Sequence, residues 1–260
     1  NQIEIIQLYN SVLWAPSPVS REPGMSRKTF QRLSLDDRRR SLMEATLSCV
    51  ARHGLHGASV RRITEEAGVT VGLVRHYFGS KDEMIRNAYA YLVGQLTAQA
   101  SESANRGEGS PETQLSRFLR ANMTMPNMAE ETVSLWATFI GRVRHDPGFA
   151  EIHRDGYREF LSVLETLIEP VLIRHGCAHS IAICKNHAIA LNGLVDGLWM
   201  EGALNSGLYA RDILPDLVIT SAERLLGLPA GVLADPQGAL QQPLQRSKQL
   251  EQPEQKSKAS

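Results

Sequence analysis

Apolar residues recur every three or four positions along most of the chain, and no stretch alternates with the two-residue period of a strand. Ser34, with Asp37 three residues on, reads as a helix start. The helix that follows puts Leu35, Leu42, Ala45, Cys49 and Val50 on one face and stops at Gly54. Ser59 is placed to cap a short second helix whose Val60, Ile63 and Ala67 share a face, and Gly68 ends it. Thr70 is placed to cap a third helix to about Phe78. Gly79 stops that one, and Ser80-Lys-Asp-Glu83 forms a capping box for a fourth. Further helices are expected at 81–104, 112–124, 129–144, 148–174, 180–205 and 211–226. Gly107 to Pro111, Pro126, Asp146-Pro147-Gly148, Gly176 and Gly207 separate them. Pro170 is expected to kink or end its helix.

The pattern predicts an all-α protein without internal repeats. A three-helix helix-turn-helix head over 34–80 precedes a larger helical body over 81–228. Residues 1–33 hold three prolines and no sustained period, and are expected to form a disordered extension. They have no basic start followed by an apolar core, so they do not read as a signal peptide. Met25, where the structured pattern opens, is the expected native start. The tail, 229–260, is rich in Gln, Pro, Ser and Lys and is expected to be disordered as well.

Composition narrows the class. At 42% hydrophobic and 22% charged the chain is ordinary globular material. Its three cysteines, Cys49, Cys177 and Cys184, cannot all pair; they fit a reducing compartment, so a cytoplasmic location is expected. The longest apolar stretch, Ala188 to Met200, is interrupted by Asn192 and Asp196 and is shorter than the roughly 20 residues of a membrane span. Net charge is zero but unevenly spread. Residues 25–90 hold 12 Lys and Arg against 7 Asp and Glu, whereas 91–233 hold 11 against 16. A basic block followed by an acidic one suggests that the first part meets a polyanion.

Two short helices joined by a tight glycine-containing turn are the form that reads DNA, one helix entering the major groove while the other braces it. On a helical wheel of the second, Thr70, Val74, Tyr77 and Phe78 cluster on the packing side. Gly72, Arg75 and His76 point the opposite way. A small residue beside an arginine suits close approach to base edges, since arginine pairs bidentately with guanine. The same pattern also fits an ordinary helical hairpin with a solvated Arg75.

The run from Ala58 to Lys81, with Ile63, Ala67-Gly-Val69, Gly72, Tyr77-Phe78 and Lys81 in place, resembles the N-terminal domain of TetR-family transcriptional regulators. The likeness covers about residues 36–86. In the body, Leu135-Trp-Ala-Thr-Phe139 and Ala190 to Leu204 resemble the BetI-type branch over roughly 110–226. The resemblance implies a homodimer that binds double-stranded DNA at a pseudo-palindromic operator. It most simply implies a repressor released by a small-molecule effector, choline-like at first guess, with no cofactor and no catalysis. It places Thr70, His76, Tyr77 and Lys81 near phosphates, with Arg39 and Arg40 reaching the backbone from the first helix, and Gly72, Leu73 and Arg75 facing bases. Leu73 stands where the family often has a small hydroxyl residue, which favours an apolar contact there.

Two further constellations stand out in the sequence. His175, Cys177, His179, Cys184 and His187 are dense enough for a metal-responsive sensor of the same fold, but their spacing matches no closed zinc motif. Glu151, His153, Asp155 and Asp196 contain acid and base types, so an all-α enzyme is the rival class, though their spacing specifies no reaction. Trp136, Phe139, Tyr157, Phe160 and Trp199 are either core or the wall of a ligand site. Trp136, Phe139, Tyr157 and Trp199, with Asp196 or Glu201 for charge, are the candidate effector residues. The apolar faces at 180–205 and 211–226 exceed what one body needs and are the expected dimer seam.

Overall fold

The computed structural model describes residues 35–204 and 210–234. The expectations for 1–33, Met25, Ser34, Gly207 and the tail beyond 234 lie outside the described residues. Among those described, regular structure is helical throughout: α1 (Leu35–Gly57), α2 (Val60–Ala67), α3 (Val71–Phe78), α4 (Lys81–Ala104), α5 (Pro111–Asn122), α6 (Glu130–Ile140), α7 (Pro147–Arg174), α8 (Ile181–Leu204) and α9 (Leu214–Leu226), with a 3-10 turn at Arg211–Ile213 before α9. No helix there is long and apolar enough to cross a membrane.

The chain divides into two compact units between Ala88 and Tyr89, inside α4. The expected boundary after residue 80 is therefore too early. Met84, Ile85 and Ala88 in the first two turns of α4 are buried, and Asn87 accepts a hydrogen bond from Arg39 on α1 at 2.6 Å.

In the first unit α1 packs on α2, and α2 on α3, around Leu42, Cys49, Ile63, Val74 and Phe78. Gly54, at φ 67°, breaks the helical path of α1 where the sequence places its end. Ser59 caps α2 by accepting the Arg62 N–H at 3.3 Å, and Gly68 closes it in the left-handed conformation at φ 65°. Two caps differ from expectation. Thr70 occupies the N-cap position of α3, but its side chain makes no capping hydrogen bond. The Ser80 box is half formed: Ser80 Oγ accepts the Glu83 N–H at 3.1 Å, while the Ser80 N–H donates to the Phe78 carbonyl and Glu83 pairs with Arg86.

In the second unit α7 packs on α8, α8 on α9, and α5 against α7, α8 and α9. Leu115, Phe118, Leu164, Ile168, Leu172, Leu191, Val218 and Ile219 form its core. Pro170 does not end α7, which runs on to Arg174. The proline removes one backbone donor near the helix end, and the fully buried Val171 and Leu172 hold the last turn. The described chain continues past residue 228, and Val232 and Leu233, expected in the disordered tail, are packed. Leu228, Val232 and Leu233 join the core, and the buried Glu223 carboxylate accepts backbone N–H groups from Leu233 at 2.7 Å, Gly231 at 3.0 Å and Ala234 at 3.2 Å.

Candidate functional site

Two sites emerge, one in each unit. In the first, α3 buries Val74 and Phe78, leaves Leu73 and Tyr77 half-buried, and exposes Thr70, Gly72, Arg75 and His76. The Arg75 side chain makes no hydrogen bond or ion pair among the described residues, and neither does that of Lys81, the first residue of α4. A Cβ built on Gly72 would meet nothing within 4 Å. Packing inside the unit therefore does not require glycine there, and its small size serves whatever approaches from outside. Val71, beside it, is an exposed apolar residue that the wheel did not single out.

α3 is well braced. Cys49 on α1 donates to Glu66 on α2 at 3.1 Å, Arg52 pairs with the same carboxylate, and Arg62 donates to the Gly57 carbonyl at 2.9 Å. Burial and the Glu66 hydrogen bond push the Cys49 thiol up to about 11, so it acts as a packed donor rather than a nucleophile. Arg39 and Arg40 are less available than the sequence suggests. Arg39 bonds Asn87 and lies over the Phe78 ring, 5.7 Å from its centroid, while Arg40 pairs with Asp37.

The second site is a cavity of about 80 Å³ inside the body. Val93, Leu96 and Thr97 of α4 form one side, Trp136 of α6 another. α7 contributes His153, Gly156, Tyr157 and Phe160, and α8 contributes Asn192, Val195, Asp196 and Trp199. Asn122 and Asn127 complete the wall. Trp136, Tyr157, Asp196 and Trp199 are thus brought together as expected, with the two indoles edge to face at 5.4 Å. Phe139 is not part of the wall. It lies one helical turn beyond Trp136 and is fully buried in a separate cluster with Tyr89 and Phe149, at centroid distances of 5.0 and 5.9 Å. Glu201 is exposed and outside the cavity.

Sequence reading missed His153 and the three asparagines as wall residues. The spacing held part of the signal: His153, Tyr157 and Phe160 recur at i, i+4 and i+7 on α7, and Asn192, Asp196 and Trp199 do the same on α8.

Three of the polar wall residues, Tyr157, Asn192 and Asp196, form one chain. The Asn192 amide donates to Tyr157 Oη at 2.7 Å and to the Asp196 carboxylate at 3.0 Å. Burial raises the Asp196 pKa, partly offset by the Asn192 hydrogen bond. Burial lowers that of His153, whose Nδ1 lies 3.1 Å from the Tyr89 hydroxyl, so the imidazole stays neutral near pH 7. Among the described residues no lysine or arginine lines the cavity. Its fixed charge is one carboxylate among aromatic rings, an environment complementary to a small cation.

The His and Cys residues weighed for metal go elsewhere. His175 Nε2 meets Glu112 at 3.0 Å, His179 Nδ1 lies 3.0 Å from the Cys177 carbonyl, and Cys184 is in the core. Among the described residues no three His, Cys, Asp or Glu side chains are grouped to hold an ion.

Comparison with known proteins agrees with this division of the chain. Residues 42–88 match the family described as bacterial regulatory proteins, tetR family, and residues 111–227 match the BetI-type transcriptional repressor, C-terminal. The HTH-type transcriptional regulator BetI of Vibrio vulnificus (strain YJ016) is 30% identical over 172 residues, covering 65% of this chain and 82% of its own. The fold is similar to that of a transcriptional regulator from Pseudomonas aeruginosa PAO1, with a TM-score of 0.67 and 29% identity over 80% of this chain and 97% of that one. It is also similar to that of a regulator from Saccharomonospora viridis in complex with choline, at a TM-score of 0.59, 17% identity, and coverage of 70% and 94%. A braced helix-turn-helix with an outward arginine, followed by a helical body of this type, places the chain in the TetR family of bacterial transcriptional regulators, as a member with a BetI-type C-terminal domain.

Proposed function

We propose that this regulator is a homodimeric repressor that leaves its operator when a small organic cation, choline-like in size and charge, enters the body cavity. The observation that carries the reading is the wall: among the described residues Trp136, Tyr157, Phe160 and Trp199 line it together with one carboxylate, Asp196, and no lysine or arginine. A quaternary ammonium has no N–H to donate, so ring faces and a nearby negative charge must hold it. Each desolvated cation–π contact contributes about 2 kcal/mol. The volume supports a small ligand, because about 80 Å³ is far below the roughly 300–1,000 Å³ of sites for drug-sized molecules. The choline complex of the S. viridis regulator supports the same ligand class.

The route from ligand to DNA runs along the chain. α4 begins at Lys81, directly after α3, and its later turns supply Val93, Leu96 and Thr97 to the cavity. An occupant that presses on these residues acts on the helix whose first turns belong to the DNA-reading unit. Release requires the cation to favour the DNA-incompetent arrangement, since equal affinity for both would shift nothing.

Calorimetry of the purified protein with choline tests the reading. Binding below millimolar concentration is expected, with Trp199→Ala and Asp196→Asn each weakening it about tenfold or more. If choline and related ammonium ions fail to bind at millimolar concentration, the cavity is not a cation site.

A further inference from the structure

We infer that Val71 reads the methyl group of a thymine in the operator, one turn of α3 before Arg75, so that an apolar and a cationic side chain together set the preferred sequence. This rests on α3 being the helix that enters the major groove, and it adds a second reading residue to that helix. Among the described residues of the first unit, Val71 is the large aliphatic side chain left exposed, at 56%. Packing takes up the other apolar residues of α3: Val74 and Phe78 are buried, and Leu73 is half-buried. The apolar base contact expected of Leu73 therefore falls to Val71.

Its position suits the task. Val71 is the first residue of α3, directly after Thr70, whose side chain makes no capping hydrogen bond. The N-terminal residues of a recognition helix are the ones that meet base edges. Gly72 beside it faces open space, so the helix can approach the bases closely there. Arg75 is exposed four residues on, which puts it on the same face as Val71. The base edges of the major groove present donors, acceptors and one methyl group, that on C5 of thymine. A valine can pair with none of the donors or acceptors, and covering one without a partner is costly. The methyl group is what it can bury. Four helical residues rise about 6 Å, and base pairs stack about 3.4 Å apart. The thymine should thus lie about two base pairs from the base that Arg75 reads.

The test uses the intact protein and duplexes that it selects from random sequence. Each thymine of one half-site is replaced in turn by deoxyuridine, which removes the methyl and leaves every hydrogen-bonding group in place. Fluorescence anisotropy should find one thymine whose replacement weakens wild-type binding about fourfold, the value of one buried methyl. In Val71→Ala the same replacement should change affinity by less than about 1.5-fold, because the methyl has lost its partner. Alanine is the better helix former, and Val71 is mostly outside the packing of its unit, so the variant should melt as wild type does. The assignment is overturned if no thymine separates wild type from Val71→Ala in this way. It is equally overturned if Val71→Ala weakens cognate and scrambled DNA alike, as loss of a backbone contact would. Either result leaves α3 as the reading helix when Arg75→Ala still loses its preference. Full discrimination in both Arg75→Ala and Val71→Ala removes that reading of α3, and this inference with it.

Discussion

Arg75 and Lys81 are both cations without an internal partner among the described residues, but their settings give them different tasks. Arg75 stands on the exposed face of α3 beside Gly72, where a guanidinium can reach base edges. Arg75→Ala should cost about 1–3 kcal/mol on a cognate site and flatten discrimination between cognate and scrambled DNA. Lys81 sits at a helix N-terminus, a setting that holds phosphates. Lys81→Ala should weaken all sequences alike and lower the salt slope by about one. Filter binding or anisotropy at several salt concentrations separates the two, and an unchanged preference in Arg75→Ala would remove it from base reading. In the body, two groups set a pH dependence of the same sign. Asp196 is raised above its ordinary value of 3.8 and His153 lowered below its ordinary 6.5, in both cases by burial. As pH falls, Asp196 loses the charge that attracts a cation, above the ordinary carboxylate range, and His153 gains one that repels it, below the ordinary imidazole range. Choline affinity should thus decline on acidification; calorimetry showing flat or rising affinity would contradict this. Arg75, Trp136 and Asp196 were legible as candidates because each side chain's chemistry is apparent in one dimension. His153 and Asn192 were not legible as wall residues, because their place in the wall exists only once α7 and α8 are folded against each other.

Helix ends were legible where a cap is chemically explicit, as at Ser59, Gly68 and Gly79, and less so where turns follow one another. α6 stops at Ile140, not near 144, because residues 141–145 continue as turns that keep a helix-like pattern without its hydrogen bonds. The chain after α9 was misread for a related reason: Leu228, Val232 and Leu233 are too few to show a period, yet Glu223 pins their backbone into the core. Packing between helices is also invisible in the pattern. Gly156 on α7 faces Val93 on α4 so closely that an added Cβ would lie 2.3 Å from Val93 Cγ1. Gly156→Ala gains about 1 kcal/mol in helix propensity, but overpacking costs about 1–3 kcal/mol. Because Val93 is short and branched at Cβ, it has little room to yield, and the net expectation is a loss of about 1–2 kcal/mol with weaker choline binding. Urea denaturation checks the first part; an Ala variant at least as stable as wild type would show that α4 and α7 can separate there without cost.

For the whole molecule, the two-part, all-helical order was legible because periodicity and glycine breaks are one-dimensional signals. How much apolar surface remains after folding was not. Ala188, Leu191, Val195, Val218 and Leu226, all on the two helices expected to form the seam, are buried within the body. Ile181, Ile189, Leu217 and Leu225 on α8 and α9 stay exposed, and this smaller set supports pairing of two copies. Sedimentation equilibrium at micromolar concentration should give twice the 28.8 kDa chain mass; a monomer that still binds a two-fold site with full affinity would refute the pairing. The central claim is that a cation in the body cavity controls DNA binding by the head. Its most direct test is to select operator DNA from random sequence with the purified protein, then titrate the complex with choline and follow release by fluorescence anisotropy. The account predicts that choline releases the wild-type protein over the concentration range in which it binds, whereas Asp196→Asn needs about ten times more or more to be released. Choline that binds the cavity yet leaves operator affinity unchanged, or that releases wild type and Asp196→Asn equally, would contradict it.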